Sequence, residues 1–384
     1  MLILFKNGSA FINNQFQACD VLVGGGKILK TGKISESSLL HSHLEVEILD
    51  CKERYIVPGF IDSQAHMAGG SGEAGFLSQP PRVAIEECIR GGITSIVGCI
   101  GVDTYTKTMS NLFASVRAFR EAGLSAYAYS GGYELPSKTL TQNLSTDILY
   151  VEEIIGAGEV AIADHRAVEP TPDQLARVVV DSYVAGTLTR KAGVTRVHVG
   201  PAERKLQTAR EMFERHSIHY DSLYFTHMDR SRALVVEGIE FAKKGSFLDF
   251  DIHENDLHTW YKFYLDEGGL PEQLSFSTDA GVATPTELWR EIQKCCINSE
   301  CKFEQLLPHI TTVPAKALKL NTKGTIFVGC DADLVTVDKK DLEICDVIAN
   351  GKFFMKDERF QFVDQPFTMR RKSDWYGYRS ETLN

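Results

Sequence analysis

The chain has no Cys-x-x-Cys pair, no excess of basic residues, and no apolar run near the roughly 20 residues that a membrane-spanning helix requires. Each absence removes a class of function. Nine cysteines (Cys19, Cys51, Cys88, Cys99, Cys295, Cys296, Cys301, Cys330 and Cys345) form an odd, scattered set in 384 residues. That pattern predicts free thiols in a reducing compartment and excludes a disulfide framework. Cys295, Cys296 and Cys301 make a poor metal site, because adjacent residues on a helix point in different directions. Lys and Arg total 41 against 51 Asp and Glu, a net charge of -10, which excludes a nucleic-acid surface. The opening MLILFKNGSAF lacks a basic flank and reaches a turn after five residues, so it reads as a strand and not a signal peptide. A cytoplasmic protein with no membrane or nucleic-acid partner is expected. There is no fixed-period repeat and no low-complexity linker.

What is present is an alternation. Eight apolar strand candidates, near 56–66, 93–101, 124–131, 159–166, 194–200, 222–228, 246–252 and 273–280, are separated by helical stretches such as MSNLFASVRAFREAGL and TPDQLARVVVDSYVAGTLTRKAG. Many of these stretches end at Gly, as a helix before a tight turn should. Strand–helix alternation repeated eight times predicts an α/β fold, a (β/α)8 barrel over residues 57–320. Short strands flank it on both sides. LILFKNGSAFI and FQACDVLVGGGKILKTG lead it; TIFVGCDADLVTVD and CDVIANGKFFM follow. Asn7-Gly8, Gly24-Gly25-Gly26 and Asn350-Gly351 read as hairpin turns. Residues 1–56 and 321–365 are therefore expected to build one small β-sandwich, with a basic, aromatic tail over 366–384. A stretch DILYVEEIIGAG reads as a helix before the fourth strand.

Chemistry gathers at the strand ends. A barrel brings these ends to one mouth, which would converge His66, Glu159, His198, His227 and Asp279. Imidazole and carboxylate suit a catalytic zinc-type ion with one open position. Glu159, His198 and His227 lie on three successive strands and would share one ion. Such an ion lowers the pKa of its water toward ~7 and polarises a carbonyl. Asp279, in FSTDAG, would shuttle a proton, although an Asp before a helix also serves as a cap. Of the other histidines, His41, His43, His216, His219, His258 and His309 fall in helical or loop stretches and have no expected role. His165 is expected to point away from the pocket.

The stretches PGFIDSQAH, GGSGEAG, GITSIVGCIG, SGGYELPSKT, AIADHR, THMDR and SFSTDAG, with His198, follow one another in an order and at a spacing similar to the isoaspartyl (β-aspartyl) dipeptidases of the amidohydrolase superfamily. The resemblance extends over nearly the whole chain. It implies hydrolysis of the β-aspartyl amide bond of a small dipeptide substrate, with homo-oligomeric assembly. It implies that Glu73, with Gly72 beside it, holds the substrate's free α-amine, that Arg166 and Arg230 pair with substrate carboxylates, and that Tyr133 donates to the oxygen of the scissile amide. Without the resemblance, one acid and two arginines suit a small zwitterionic ligand with an excess carboxylate, or a salt-bridge network at the barrel mouth.

The chain departs from that family at specific places. A His-x-His motif would end the first strand, yet the sequence reads Gln64-Ala65-His66, and glutamine is a weak zinc ligand. Where the family carries a carboxylated lysine, Glu159 stands. Both changes favour one ion, with His66 a possible further ligand; two ions, and Fe, Co or Mn in place of Zn2+, fit the donor types as well. Val102 and Ala283 replace hydroxyl side chains, and AGVATPTELWREI leaves no room for a long flap, so substrate preference is open to change. The other readings are a deacylase or cyclic amidase for another N-substituted acidic amino acid, and a catalytically silent scaffold.

Overall fold

A computed structural model describes residues 2–40, 44–252, 256–281, 283–298 and 301–361. Eight parallel strands form the central sheet: Phe60–Ala65, Ile93–Gly98, Ser125–Ser130, Ile154–Ile162, Val194–Val199, Leu223–Thr226, Phe247–Asp251 and Leu274–Ser277, paired in that order. Most of their residues are buried, because helices cover the outside and side chains fill the inside. An Ala65–Ala280 bridge brings the last segment back to the first. Asp62 reinforces that seam by accepting hydrogen bonds from the Thr278 amide at 3.2 Å and hydroxyl at 2.5 Å. The expected (β/α)8 barrel is therefore present.

The flanking strands make two further sheets. One holds Lys27–Gly32, Asp20–Gly24, Leu2–Lys6 and Val46–Asp50; the other runs from Arg359–Phe360 through Lys352–Lys356, Ile344–Ala349, Leu334–Asp338, Arg54–Pro58 and Ser9–Ile12 to Gln15–Ala18. Leu334–Asp338 pairs antiparallel with Arg54–Pro58, so segments from opposite ends of the sequence share one sheet. Ile3, Phe5, Val21, Ile28, Ile56, Leu334 and Ile348 form the apolar layer between the sheets. Gly59 alone separates Arg54–Pro58 from the first barrel strand, and a Cβ there would come within 2.2 Å of the Thr94 hydroxyl. Trp289 strengthens the junction by stacking on Phe60 and donating to the Leu342 carbonyl at 3.1 Å.

Two local expectations are corrected. Asn7-Gly8 is not a hairpin turn, because the strands on either side of it enter different sheets. The hairpin turn falls instead at Asn13-Asn14, both with positive φ, between Ser9–Ile12 and Gln15–Ala18. The helix before the fourth strand ends at Tyr150, and EIIGAG joins a strand beginning at Ile154. Gly156 and Gly158 weaken helix, while neighbouring strands recruit Ile154 and Ile155 into the sheet. Glu159 consequently stands inside the fourth strand and not at its start. The turns at Gly24-Gly25-Gly26 and Asn350-Gly351 do join paired strands. His41, His43 and the tail over 366–384 lie outside the described residues.

His309 is fully buried against Phe276 and Tyr261. Its Nδ1–H donates to the Leu274 carbonyl at 2.6 Å, and Nε2 accepts from the Tyr261 hydroxyl at 3.1 Å. Burial pushes its pKa down to about 4. The unfolded chain therefore binds the proton more readily than the native one between the ordinary value near 6.5 and about 4. The stability this gives is present in full above pH 6.5 and is lost as pH falls through that window. Urea unfolding across this range is expected to show wild type losing about 3 kcal/mol more than His309→Gln; equal losses would disprove the assignment.

Candidate active site

The barrel's strand ends surround a cavity of about 190 Å3 whose wall includes His66, Glu73, Val102, Tyr133, Arg166, His198, His227, Arg230 and Asp279. Alternation explains the convergence, since residues two apart on a strand face the same side. Arg196 and His198 share one inward face, as do Asp249 and Asp251. His227 and Asp279 follow their strands with φ of 63° and 47°. Non-glycine residues adopt this left-handed region rarely, and such strain concentrates at functional sites.

Glu159 is the centre of the polar cluster. Its Oε1 lies 2.9 Å from His198 Nδ1, 3.1 Å from His227 Nε2 and 3.1 Å from Gln64 Nε2. Its Oε2 is buried and has no hydrogen-bond partner among the described residues. Burial alone would raise the Glu159 pKa, but the two histidines outweigh it and hold the carboxyl well below its usual range. Burial likewise opposes charge on His227, yet the Asp251 and Glu159 carboxylates push it up to about 10. The buried Glu159 carboxylate thus demands a positive partner, which a bound cation would supply.

The far nitrogens of both rings are also held. His227 Nδ1 faces Asp251, and His198 Nε2 lies 2.7 Å from Asp164 Oδ2. A carboxylate at the far nitrogen fixes that nitrogen as the N–H, leaving the other nitrogen's lone pair for an ion. This pairing, the orphaned Glu159 Oε2 and the spacing of the three donors within 4.8 Å fit a single cation at Glu159, His198 and His227. A second cluster, His66, Cys99 and Glu159, satisfies the same spacing. No group containing Cys295, Cys296 or Cys301 does so among the described residues.

The other expected residues fall as follows. Tyr133 places its hydroxyl 2.7 Å from His198 Nδ1, and burial pushes its pKa well above the ordinary value. Asp279 Oδ1 is 3.2 Å from His66 Nε2 and 3.1 Å from Gln64 Nε2. Arg166 pairs with Glu73 at 2.8 and 2.9 Å and with Asp164 at 2.7 and 2.9 Å. Arg230 donates to the Val199 carbonyl at 2.7 Å and approaches His198 Nε2 at 3.2 Å. His165 is exposed beside this group. Gly72 and Ala283 do not line the cavity; a Cβ at Gly72 would meet the Gly75 carbonyl at 2.6 Å, so tight loop closure requires glycine there.

Sequence reasoning missed Asp164, Asp251, Asp249, Arg196 and Cys99. The first two carried a usable signal, being acids at barrel strand ends like Asp279. Arg196 and Asp249 were also legible by alternation, two residues before His198 and Asp251.

The Amidohydrolase family profile matches residues 264–368. Among curated proteins, the chain is 23% identical to an adenine deaminase from Clostridium perfringens over 96% of its own length. It spans only 61–64% of the length of such curated relatives. Among solved structures, the β-aspartyl dipeptidase of Fervidobacterium islandicum AW-1, in complex with a β-Asp-Leu dipeptide, is 33% identical with a TM-score of 0.89, covering 95% of this chain and 98% of that one. Atrazine chlorohydrolase from Arthrobacter aurescens TC1, complexed with zinc, shares the fold at 14% identity and a TM-score of 0.62, over 94% and 97% of the two chains.

The Asp251–His227 contact generates a direct test. Asp251→Asn removes the carboxylate that orients the ring and raises its basicity. Zinc affinity measured by competition with a chelator is expected to fall about 10- to 100-fold; an unchanged affinity would show that Asp251 does not support a metal ligand.

Proposed function

This chain belongs to the β-aspartyl dipeptidase family of amidohydrolases, and from that premise we propose that it hydrolyses the side-chain-linked amide of β-aspartyl dipeptides, using one metal ion. The observation that carries this reading is the cavity itself, which sets the Glu73 carboxylate and two guanidinium groups beside a donor set for a single cation. Glu159, His198 and His227 would hold the ion. When bound, a zinc-type ion acidifies water and polarises a carbonyl.

The chain's own groups then have separate tasks. Glu73 binds the substrate α-amine while Arg166 and Arg230 take its carboxylates, which parts the Glu73–Arg166 ion pair. Tyr133, kept protonated by burial, donates to the scissile amide oxygen as negative charge develops there. Asp279 accepts a proton from the attacking water and returns it to the leaving amine. Gln64 and His66 both contact Asp279 and so orient its carboxylate.

Two alternatives use the same cavity differently. A deacylase or cyclic amidase acting on another N-substituted acidic amino acid would need the arginines but not an amine-binding Glu73. A deaminase acting on adenine would supply no carboxylate to Arg166 or Arg230.

Zinc-loaded and chelated protein should be assayed with β-Asp-Leu, α-Asp-Leu and adenine. Metal-dependent cleavage of β-Asp-Leu alone is expected. Glu73→Gln should lower kcat/KM about 10- to 100-fold, mainly through KM, by weakening a charged hydrogen bond worth roughly 1.5–3 kcal/mol. Loss of neither dipeptide from the zinc-loaded enzyme would reject the dipeptidase reading and point to the other acylated acids or to a silent scaffold.

A further inference from the structure

A charged side chain in the barrel interior is unaccounted for by the steps above. Arg196 has no solvent exposure, and neither do Asp249 and Gln64, which it contacts. Its Nη2 donates to Asp249 Oδ2 at 2.5 Å, and its Nε donates to Gln64 Oε1 at 2.5 Å. The guanidinium also lies over the Tyr224 ring, 4.1 Å from its centroid. Arginine stays charged and can only donate, so Gln64 must present its carbonyl oxygen to Arg196. That fixes the amide orientation. Both hydrogens on Gln64 Nε2 then point to acceptors at the cavity floor, Glu159 Oε1 and Asp279 Oδ1, each at 3.1 Å.

We propose that Arg196, acting through Gln64, supplies the positive charge that a second, deeper cation would bring to this site, so that the centre holds one ion. The proposal rests on the single-ion site described above and concerns how Glu159 and Asp279 are positioned, independently of which amide is cleaved. Three observations support it. An amide nitrogen has no lone pair to offer a metal, so Gln64 Nε2 occupies the position between two carboxylates as a donor and not as a ligand. The amide dipole relays the guanidinium charge in the sense both carboxylates need. And a fully buried ion pair such as Arg196–Asp249 is seldom more stabilising than apolar residues of similar volume, so packing alone gives little reason for it. Asp249 holds the guanidinium in place; its own oxygens also accept from Ser277 at 2.6 Å and Thr226 at 3.1 Å. Arg196 and Gln64 are thus positioning residues for the metal-binding Glu159 and the proton-handling Asp279.

The test counts metal and needs no substrate. Metal-free full-length protein is equilibrated with excess Co2+ alone, dialysed, and measured by mass spectrometry for cobalt per chain, with absorption spectra recorded alongside. One cobalt per chain, without a thiolate charge-transfer band, is expected for wild type. Gln64→Glu turns the shared donor into a third acidic oxygen, and Gln64→His offers a ring lone pair. Each variant that retains the wild-type circular dichroism spectrum is expected to bind a second cobalt, an outcome that a merely structural glutamine would not produce. Two cobalt ions in wild type would overturn the proposal, as would a thiolate band showing that Cys99 and His66 take one. So would two folded variants that still bind a single ion. Any of these results leaves the dipeptide assay unaffected, and failure of that assay leaves the metal count unaffected.

Discussion

A guanidinium sealed from water sets the terms for everything above it. Arg196 cannot lose its proton and cannot reach solvent, so the barrel interior must surround it with acceptors. Asp249 meets the charge directly, and the Gln64 carbonyl takes a second hydrogen bond. Each of those partners then constrains the next layer. Asp249 draws in hydroxyls from the sixth and eighth strands, and Gln64 turns its amide hydrogens toward Glu159 and Asp279. The floor of the cavity is therefore ordered from below, by a chain of donors and acceptors with a single consistent direction. Such networks specify one arrangement strongly, because each member would leave a buried polar atom unsatisfied if it turned.

Above that floor, the site is organised by carboxylates behind imidazoles. Asp251 and Asp164 decide which nitrogen of His227 and His198 carries hydrogen, and so which lone pair faces the cavity. The relatives differ in what they bind, as their names state, but the donors for one cation arise in this chain from its own geometry. The Fervidobacterium dipeptidase covers nearly the whole chain at 33% identity, whereas the curated deaminases match at 22–24% and extend well beyond it in length. The former is the stronger guide to the cavity, the latter to the shared ancestry of the barrel.

Much of this was legible in the residues. Apolar runs ending in His or Asp announce strands that stop at a common mouth, and that rule located His198, His227 and Asp279. It placed Glu159 too early, because EIIGAG looks like the end of a helix until neighbouring strands recruit it. Asn7-Gly8 misled for a similar reason. Its left-handed turn is real, but the two strands separate into different sheets, and pairing is a tertiary property that a dipeptide does not encode. Arg196 was the more instructive omission. Alternation puts it on the same inward face as His198, but a lone arginine between Thr195 and Val197 is readily taken for a surface residue. Its partner on the seventh strand, more than 50 residues away, is what allows it to be buried.

The Glu73–Arg166 pair at the cavity wall has a consequence for selectivity. In the absence of ligand Arg166 pairs with Glu73 as well as with Asp164. A ligand with only a carboxylate would win Arg166 while leaving Glu73 without its partner, whereas Arg166 keeps Asp164 when an amine takes Glu73. A ligand carrying both charges at the right separation exchanges partners with no charge left over. If the wall binds substrate as proposed, the pair makes it a two-key lock, favouring a ligand that offers Glu73 and Arg166 a new partner at the same time.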